Sequence, residues 1–212
     1  YVFASLRDNM TGAPVATAPD SHHIAVAWIQ QLGRGSGQWY KGEVKYLEST
    51  NNGTDWMADS SMGTPIKITN YGADNWASYT TPQTDITTVY DYNNNLHIFW
   101  VTGNYPTTSW NPISLWHWDR NSGKTSLVDQ TSLNYATWTT WNKPINKMTI
   151  AVAKDSVNYL WVCYSKQTDA DTSALGISNG HIIVKASSNS GRTWGPEVPI
   201  TTTNTPGCAP GN

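Results

Sequence analysis

An eight-residue turn motif recurs three times along this chain, and its spacing limits what the chain can fold into. The clearest copy is Ser187-Ser188-Asn189-Ser190-Gly191-Arg192-Thr193-Trp194, and an earlier one reads Ser49-Thr50-Asn51-Asn52-Gly53-Thr54-Asp55-Trp56. Between them Asp119-Arg120-Asn121-Ser122-Gly123-Lys124-Thr125-Ser126 repeats the pattern but ends in Ser126 where the others have Trp. Gly53, Gly123 and Gly191 lie 70 and 68 residues apart. So regular a period marks a repeat architecture, in which one supersecondary unit recurs. Each copy has the chemistry of a hairpin turn: Gly takes positive φ without steric cost, and Asn bonds its own backbone. Trp56 and Trp194 are expected to fold back as plugs beneath their turns.

The segments around the turns alternate as short strands. In the first unit these are 15–18, 23–29, 43–47 and 65–69; in the second, 86–90, 96–101 and 113–118. In the third they are 148–152, 159–164, 181–185 and 197–201, with a long polar loop expected between residues 164 and 181. Residues 1–4 read as a further strand that completes a sheet from elsewhere. No stretch carries a helix period of useful length. Four strands in the first unit, with the others on the same plan, over about 15–70, 85–133 and 147–203 of a single domain 1–212, is the composition of a β-propeller blade.

The turn pattern resembles the Asp-box of sialidase-like β-propellers (BNR repeats), with Asn51, Asn121 and Asn189 where that family usually has Asp. The substitution keeps the turn chemistry and removes a charge. The resemblance implies an all-β propeller of four-stranded antiparallel blades, three of them in this chain, with Asp-box-like turns between third and fourth strands. A closed ring needs at least about four blades. Three therefore imply either part of a longer propeller or copies that associate to complete one. The uncovered faces of the first and last blades predict that an isolated chain does not remain a compact monomer.

The same resemblance places a ligand on the face opposite the boxes, and the loops assigned there are aromatic. Arg34, Trp39 and Tyr40 lie in the first such loop, Tyr105 and Trp110 in the second. Trp76 and Tyr79 lie in the first connection between units, and Tyr135, Trp138 and Trp141 in the second. Trp (12) and Tyr (11) far outnumber Phe (2), so the chain favours aromatic rings that carry a polar handle. Flat aromatic faces stack on pyranose rings while nearby polar groups read the hydroxyls. Several of these rings would equally serve as packing between blades.

Catalytic signals are sparse. The sialidase Arg-Ile-Pro falls on Gly12-Ala13-Pro14, so the arginine is absent, and residues 31–42 lack that family's acid/base Asp. Arg120 and Arg192 fall inside boxes, on the other face, which leaves Arg7 and Arg34. Asp74, Asp85, Asp169 and Asp171 fall in ligand-face segments and are the carboxylates from which a glycosidase pair could be drawn. Asp169 and Asp171 either hold a structural calcium ion or belong to a solvated loop. The five histidines, His22, His23, His97, His117 and His181, have no metal-ligand spacing, and His97 and His117 read as hydrogen-bonded strand residues. No other cofactor is expected.

Net charge is −2 with no basic block, which argues against nucleic acid. No apolar run reaches the roughly 20 residues of a membrane span. The chain begins at Tyr1 without a leader-like segment, as a processed or excised chain would. Two sequons, at Asn9 and Asn52, and the family resemblance point to secretion. Cys163 and Cys208 either form one bridge or stay as ordinary thiols. Three functions follow from these readings: an extracellular carbohydrate-binding propeller segment; part of a glycoside hydrolase or polysaccharide lyase whose catalytic residues lie partly elsewhere; or a structural assembly subunit.

Overall fold

Runs of β-branched and aromatic residues, stopped by Gly, Asn and Pro, form strands throughout the described chain. The computed structural model describes residues 10–20, 22–31, 42–56, 65–70, 81–103, 112–133, 144–156, 158–176, 178–202 and 206–208. Their strands make three antiparallel sheets. The first contains β1 (Met10–Thr11), β2 (Val15–Thr17), β3 (Ile24–Gln31), β4 (Gly42–Ser49) and β5 (Ile66–Lys67). The second contains β6 (Thr81–Tyr90), β7 (Leu96–Gly103), β8 (Ile113–Asp119) and β9 (Lys124–Thr131). The third contains β10 (Ile145–Val152), β11 (Leu160–Thr172), β12 (Ser178–Ser187) and β13 (Val198–Pro199). β1 and β2 both pair with β3, at Met10↔Gln30 and Val15↔Val26, so together they form one interrupted strand. Each sheet is then a four-position meander.

The sheets pack face to face with their first strands side by side, β2 against β6 and β6 against β10. One apolar cluster, including Ala27, Ile29, Val44, Tyr46, Ile98, Trp100 and Trp118, fills the space between the first and second sheets. A second, including Phe99, Val101, Leu115, Ile145, Val162 and Tyr164, fills the space between the second and third. The middle sheet is covered on both faces, which is why every residue of β7 is buried. Each large apolar side chain so enclosed contributes about 1.5–3 kcal/mol. The far side of the third sheet has no such cover among the described residues. There Trp161 and Ile182 are each 37% exposed, Val198 51% and Ile200 59%.

Two expectations change, and one open alternative is resolved. The polar stretch after Tyr164 is a long hairpin and not a loop: β11 continues to Thr172 and β12 begins at Ser178. Its register shifts between Gln167 and Thr172. Cys163 and Cys208 are free thiols, both half-buried. The outermost strand of the third unit shrinks to Val198–Pro199.

The Trp194 ring, expected beneath its own turn, instead packs on the preceding sheet. It meets Phe99 and His117 edge-on, with ring centroids 5.8 and 5.7 Å away. Its Nε1–H donates to Ser126 Oγ at 3.3 Å. Trp56 does sit beneath its turn, with Cζ2 only 3.9 Å from where a Gly53 Cβ would lie. Because Trp194 is half-buried and not sealed, Trp194→Ala is expected to cost about 2 kcal/mol, below the 3–5 of a fully enclosed ring. Urea denaturation of the variant checks this. A cost under about 0.5 kcal/mol, the level of an ordinary surface change, would show that the ring does not join the sheets.

Candidate functional site

Antiparallel order gives the stack two ends. At one end lie the three repeat turns, after β4, β8 and β12, with the turns that follow the first strands. Gly53, Gly123 and Gly191 adopt φ of 81°, 63° and 81° there. The first and third turns share one hydrogen-bond pattern. Gly53 N–H donates to Ser49 Oγ and Asp55 N–H to Asn51 Oδ1, both at 2.8 Å. Gly191 N–H likewise donates to Ser187 Oγ at 2.8 Å, and Thr193 N–H to Asn189 Oδ1 at 2.9 Å. The second turn differs, because Asp119 stands where the others have Ser. Gly123 N–H donates to the Asp119 carbonyl at 2.9 Å, and Ser122 N–H to Asp119 Oδ1 at 2.9 Å. Asn121 uses its backbone N–H, which donates to Asn95 Oδ1 at 3.0 Å.

These turns also join one sheet to the next. The Gly191 carbonyl accepts from His117 Nδ1 at 3.2 Å and from the Ser126 hydroxyl. That fixes the His117 proton on Nδ1 and leaves Nε2 to accept from His97 Nδ1 at 2.9 Å. Burial, and then His97, push the His117 imidazole down to about 3, so the ring is neutral at ordinary pH. Between the first two sheets Arg120 meets the buried Glu48 carboxylate, and Tyr90 donates its hydroxyl to Glu48 Oε1 at 2.7 Å. Arg120 is therefore a tie between sheets. Between the second and third, Lys166 donates to Asp129 Oδ2 at 2.8 Å and to Glu197 Oε1, and the Tyr164 hydroxyl donates to Asp129 Oδ2 at 2.6 Å. Burial alone would raise the Asp129 carboxyl, but Lys166 and Tyr164 outweigh it and hold it below the usual range.

At the other end the regular pairing breaks, in each sheet and each time near the start of the first strand. In the first sheet the break separates β1 from β2 at Gly12, whose φ is 66°. In the second the register shifts between Pro82 and Ile86, and in the third between Asn146 and Thr149. Lys147, inside the last break, has φ 56°, an uncommon conformation for a side chain other than Gly, and is exposed. Such breaks bend a strand and re-aim its side chains. Asp85 lies in the second break and is half-buried. Buried polar atoms without a hydrogen-bond partner among the described residues also occur at this end, Gln31 Oε1 in the first sheet and Gln167 Oε1 and Ser178 Oγ in the third. Their residues are only 8%, 8% and 5% exposed. A buried polar group left unpaired costs about 1–3 kcal/mol.

The strands that flank the aromatic loops end here as well: Gln31 and Gly42 bracket the first loop, Gly103 and Ile113 the second. The expected ligand residues Arg34, Trp39, Tyr40, Trp76, Tyr105, Trp110, Trp138 and Trp141 lie outside the described residues. So do Asp74, Tyr79 and Tyr135. Asp171, read as a loop carboxylate, is a buried strand residue: Asn179 Nδ2 donates to it at 2.8 Å, and His181 Nε2 lies 3.3 Å away. The register breaks and unpaired acceptors had no sequence signal, since pairing and burial are properties of the assembled sheets.

Among the solved structures that share this fold, two are informative. One is a Hadza microbial sialidase, with a TM-score of 0.52 and 12% identity over 88% of this chain and 33% of that one. The other is an ulvan lyase of polysaccharide lyase family PL25, solved bound to -[GlcA(1-4)Rha3S]-, with a TM-score of 0.58 and 12% identity over 92% of this chain and 43% of that one. The likeness at this identity is one of fold: an all-β, sialidase-like arrangement of antiparallel sheets. The present chain spans between a third and about two fifths of the length of those structures. No family model matches the sequence, and no curated protein does.

Proposed function

We propose that this chain supplies three blades of an extracellular, glycan-binding β-propeller, with Asp-box turns at one end and the glycan face at the other. The observation that carries the reading is that, at the end opposite the turns, pairing breaks in the first strand of every sheet, and buried polar atoms of the first and third sheets lack a partner there. Acceptors in need of O–H donors suit the hydroxyls of a sugar, and the aromatic residues of the adjoining loops suit its ring faces. The ulvan lyase, solved bound to -[GlcA(1-4)Rha3S]-, supports the same substrate class. Further blades fit the uncovered apolar face at Trp161, Ile182, Val198 and Ile200, which no other described segment of this chain covers.

Intrinsic fluorescence titrated with a panel of neutral and acidic oligosaccharides tests the reading. Trp39→Ala and Trp110→Ala are expected to weaken binding by about 1–3 kcal/mol, the size of an aromatic stacking contact with a nucleobase, and to leave the melting temperature nearly unchanged. Loop variants that bind as the parent does would end the glycan reading. Release of new sugar ends from the same panel would instead place the chain among carbohydrate-active enzymes.

A further inference from the structure

We propose a second ligand site at the turn end: an oxyanion-binding cleft between the second and third repeat turns. A cleft of about 400 Å³ opens there, with the buried ring of His117 and the Gly191 backbone at its base. Lys124 and Arg192 stand on its walls. Each directly follows the turn glycine of its own repeat, so the two occupy equivalent positions in adjacent units. Both side chains are exposed, and among the described residues neither forms an ion pair.

The chemistry of the cleft is decided by counting donors and acceptors. The Asp119 carboxylate, the Gly191 carbonyl and the Ser126 hydroxyl each already accept hydrogen bonds. Asp119 Oδ1 receives the Ser122 N–H at 2.9 Å and Asn95 Nδ2 at 3.3 Å, and Oδ2 receives the Ser122 hydroxyl. The Gly191 carbonyl receives His117 and Ser126. Ser126 Oγ in turn accepts the Trp194 indole N–H at 3.3 Å. The donors are in surplus: a Lys ammonium offers three N–H groups and an Arg guanidinium five. Two cations without an ion pair among the described residues share the lining with one carboxylate that is already hydrogen-bonded, so the cleft favours an acceptor with negative charge. A tetrahedral sulfate ester or a planar carboxylate meets that need, through charge-assisted hydrogen bonds to both side chains. The walls are pre-set, because the bonds from His117 and Ser126 to Gly191 lock one turn against the other. The chemical class is therefore an oxyanion, either free in solution or carried on an acidic saccharide.

The site lies at the end opposite the proposed glycan face, so the two can be tested apart. The probe is sodium sulfate, added to the isotope-labelled chain at constant ionic strength with sodium chloride as blank, and read at the backbone amides of Gly123, Lys124 and Arg192. Saturable shifts are expected, with a dissociation constant on the order of 1 mM. Replacing both Lys124→Gln and Arg192→Gln should weaken binding by about tenfold or more. Lys154→Gln removes the same kind of charge from an exposed position outside the cleft lining and should leave binding unchanged. Trp39→Ala should also leave the sulfate response unchanged, whatever it does to oligosaccharide binding. Shifts no larger than those with chloride, or equal weakening by Lys154→Gln, would overturn the site. A sulfated disaccharide that binds more tightly than inorganic sulfate assigns the oxyanion to a saccharide; equal or weaker binding assigns it to the free ion. Either result leaves the cleft an oxyanion site.

Discussion

Gly191→Ala is expected to destabilise the chain by about 3 kcal/mol or more, while Gly53→Ala costs only about 1 kcal/mol. Both glycines have φ of 81°, so both substitutions carry the same left-handed strain. What differs is the space. A Cβ on Gly53 would meet Ile24 and Trp56 at 3.8 and 3.9 Å, ordinary contact. A Cβ on Gly191 would fall 2.2 Å from His117 Cε1 and 2.4 Å from Nδ1. That ring cannot step aside, because it is buried, stacked on His97 and hydrogen-bonded at both nitrogens. Urea denaturation of the two variants, side by side, makes the comparison. Equal losses would mean that the third turn is not seated on the second sheet as described.

Asp129→Ala should be the costliest single change at the other seam, about 3–5 kcal/mol. It leaves Lys166 with only the partly exposed Glu197 and removes the acceptor of the buried Tyr164 hydroxyl. The same carboxylate sets a pH dependence. Its folded-state pKa is held down, so its contribution is fully present above the unfolded value of about 3.9 and is lost as pH falls through the folded value. Stability of the parent chain should therefore drop on acidification below about pH 4, and the drop should be shallower in Asp129→Ala. Parallel acid profiles for parent and variant would show that the carboxylate is not paired in the folded state.

Much of this arrangement was legible in the sequence, and the parts that were not share a cause. Strands such as β7 and β8 announce themselves through apolar, β-branched and aromatic runs between turn residues. The second half of β11 does not. Ser165 to Thr172 reads as polar throughout because its inward position Lys166 is satisfied by a carboxylate from another sheet. An apolar period is a record of apolar burial only. Arg120 shows the same limit: its place in a turn motif put it on the face opposite the aromatic loops but named no partner, and its partner Glu48 lies 72 positions away. Sequence spacing tells which residues share a strand face, but not which charges meet across a seam. The seat of Trp194 was hidden for a related reason, since its partner Phe99 belongs to the neighbouring sheet. The aromatic loops of the proposed glycan face lie outside the described residues, so their reading rests on the sequence.

The ties between sheets that end on a carboxylate have one polarity. Glu48 and Asp129 belong to the earlier sheet of each pair, while Arg120, Tyr90, Lys166 and Tyr164 belong to the later one. A chain made from its N-terminus exposes each carboxylate before its donors exist. Until then the carboxylate stays in water, where an unpaired charge is harmless. The step that takes its water away is the docking of the next sheet, and that sheet brings the replacement hydrogen bonds with it. Assembly in the order of synthesis thus never passes through a state with a buried acid awaiting its partner, and each finished sheet presents a negatively charged mark that the next one is built to find.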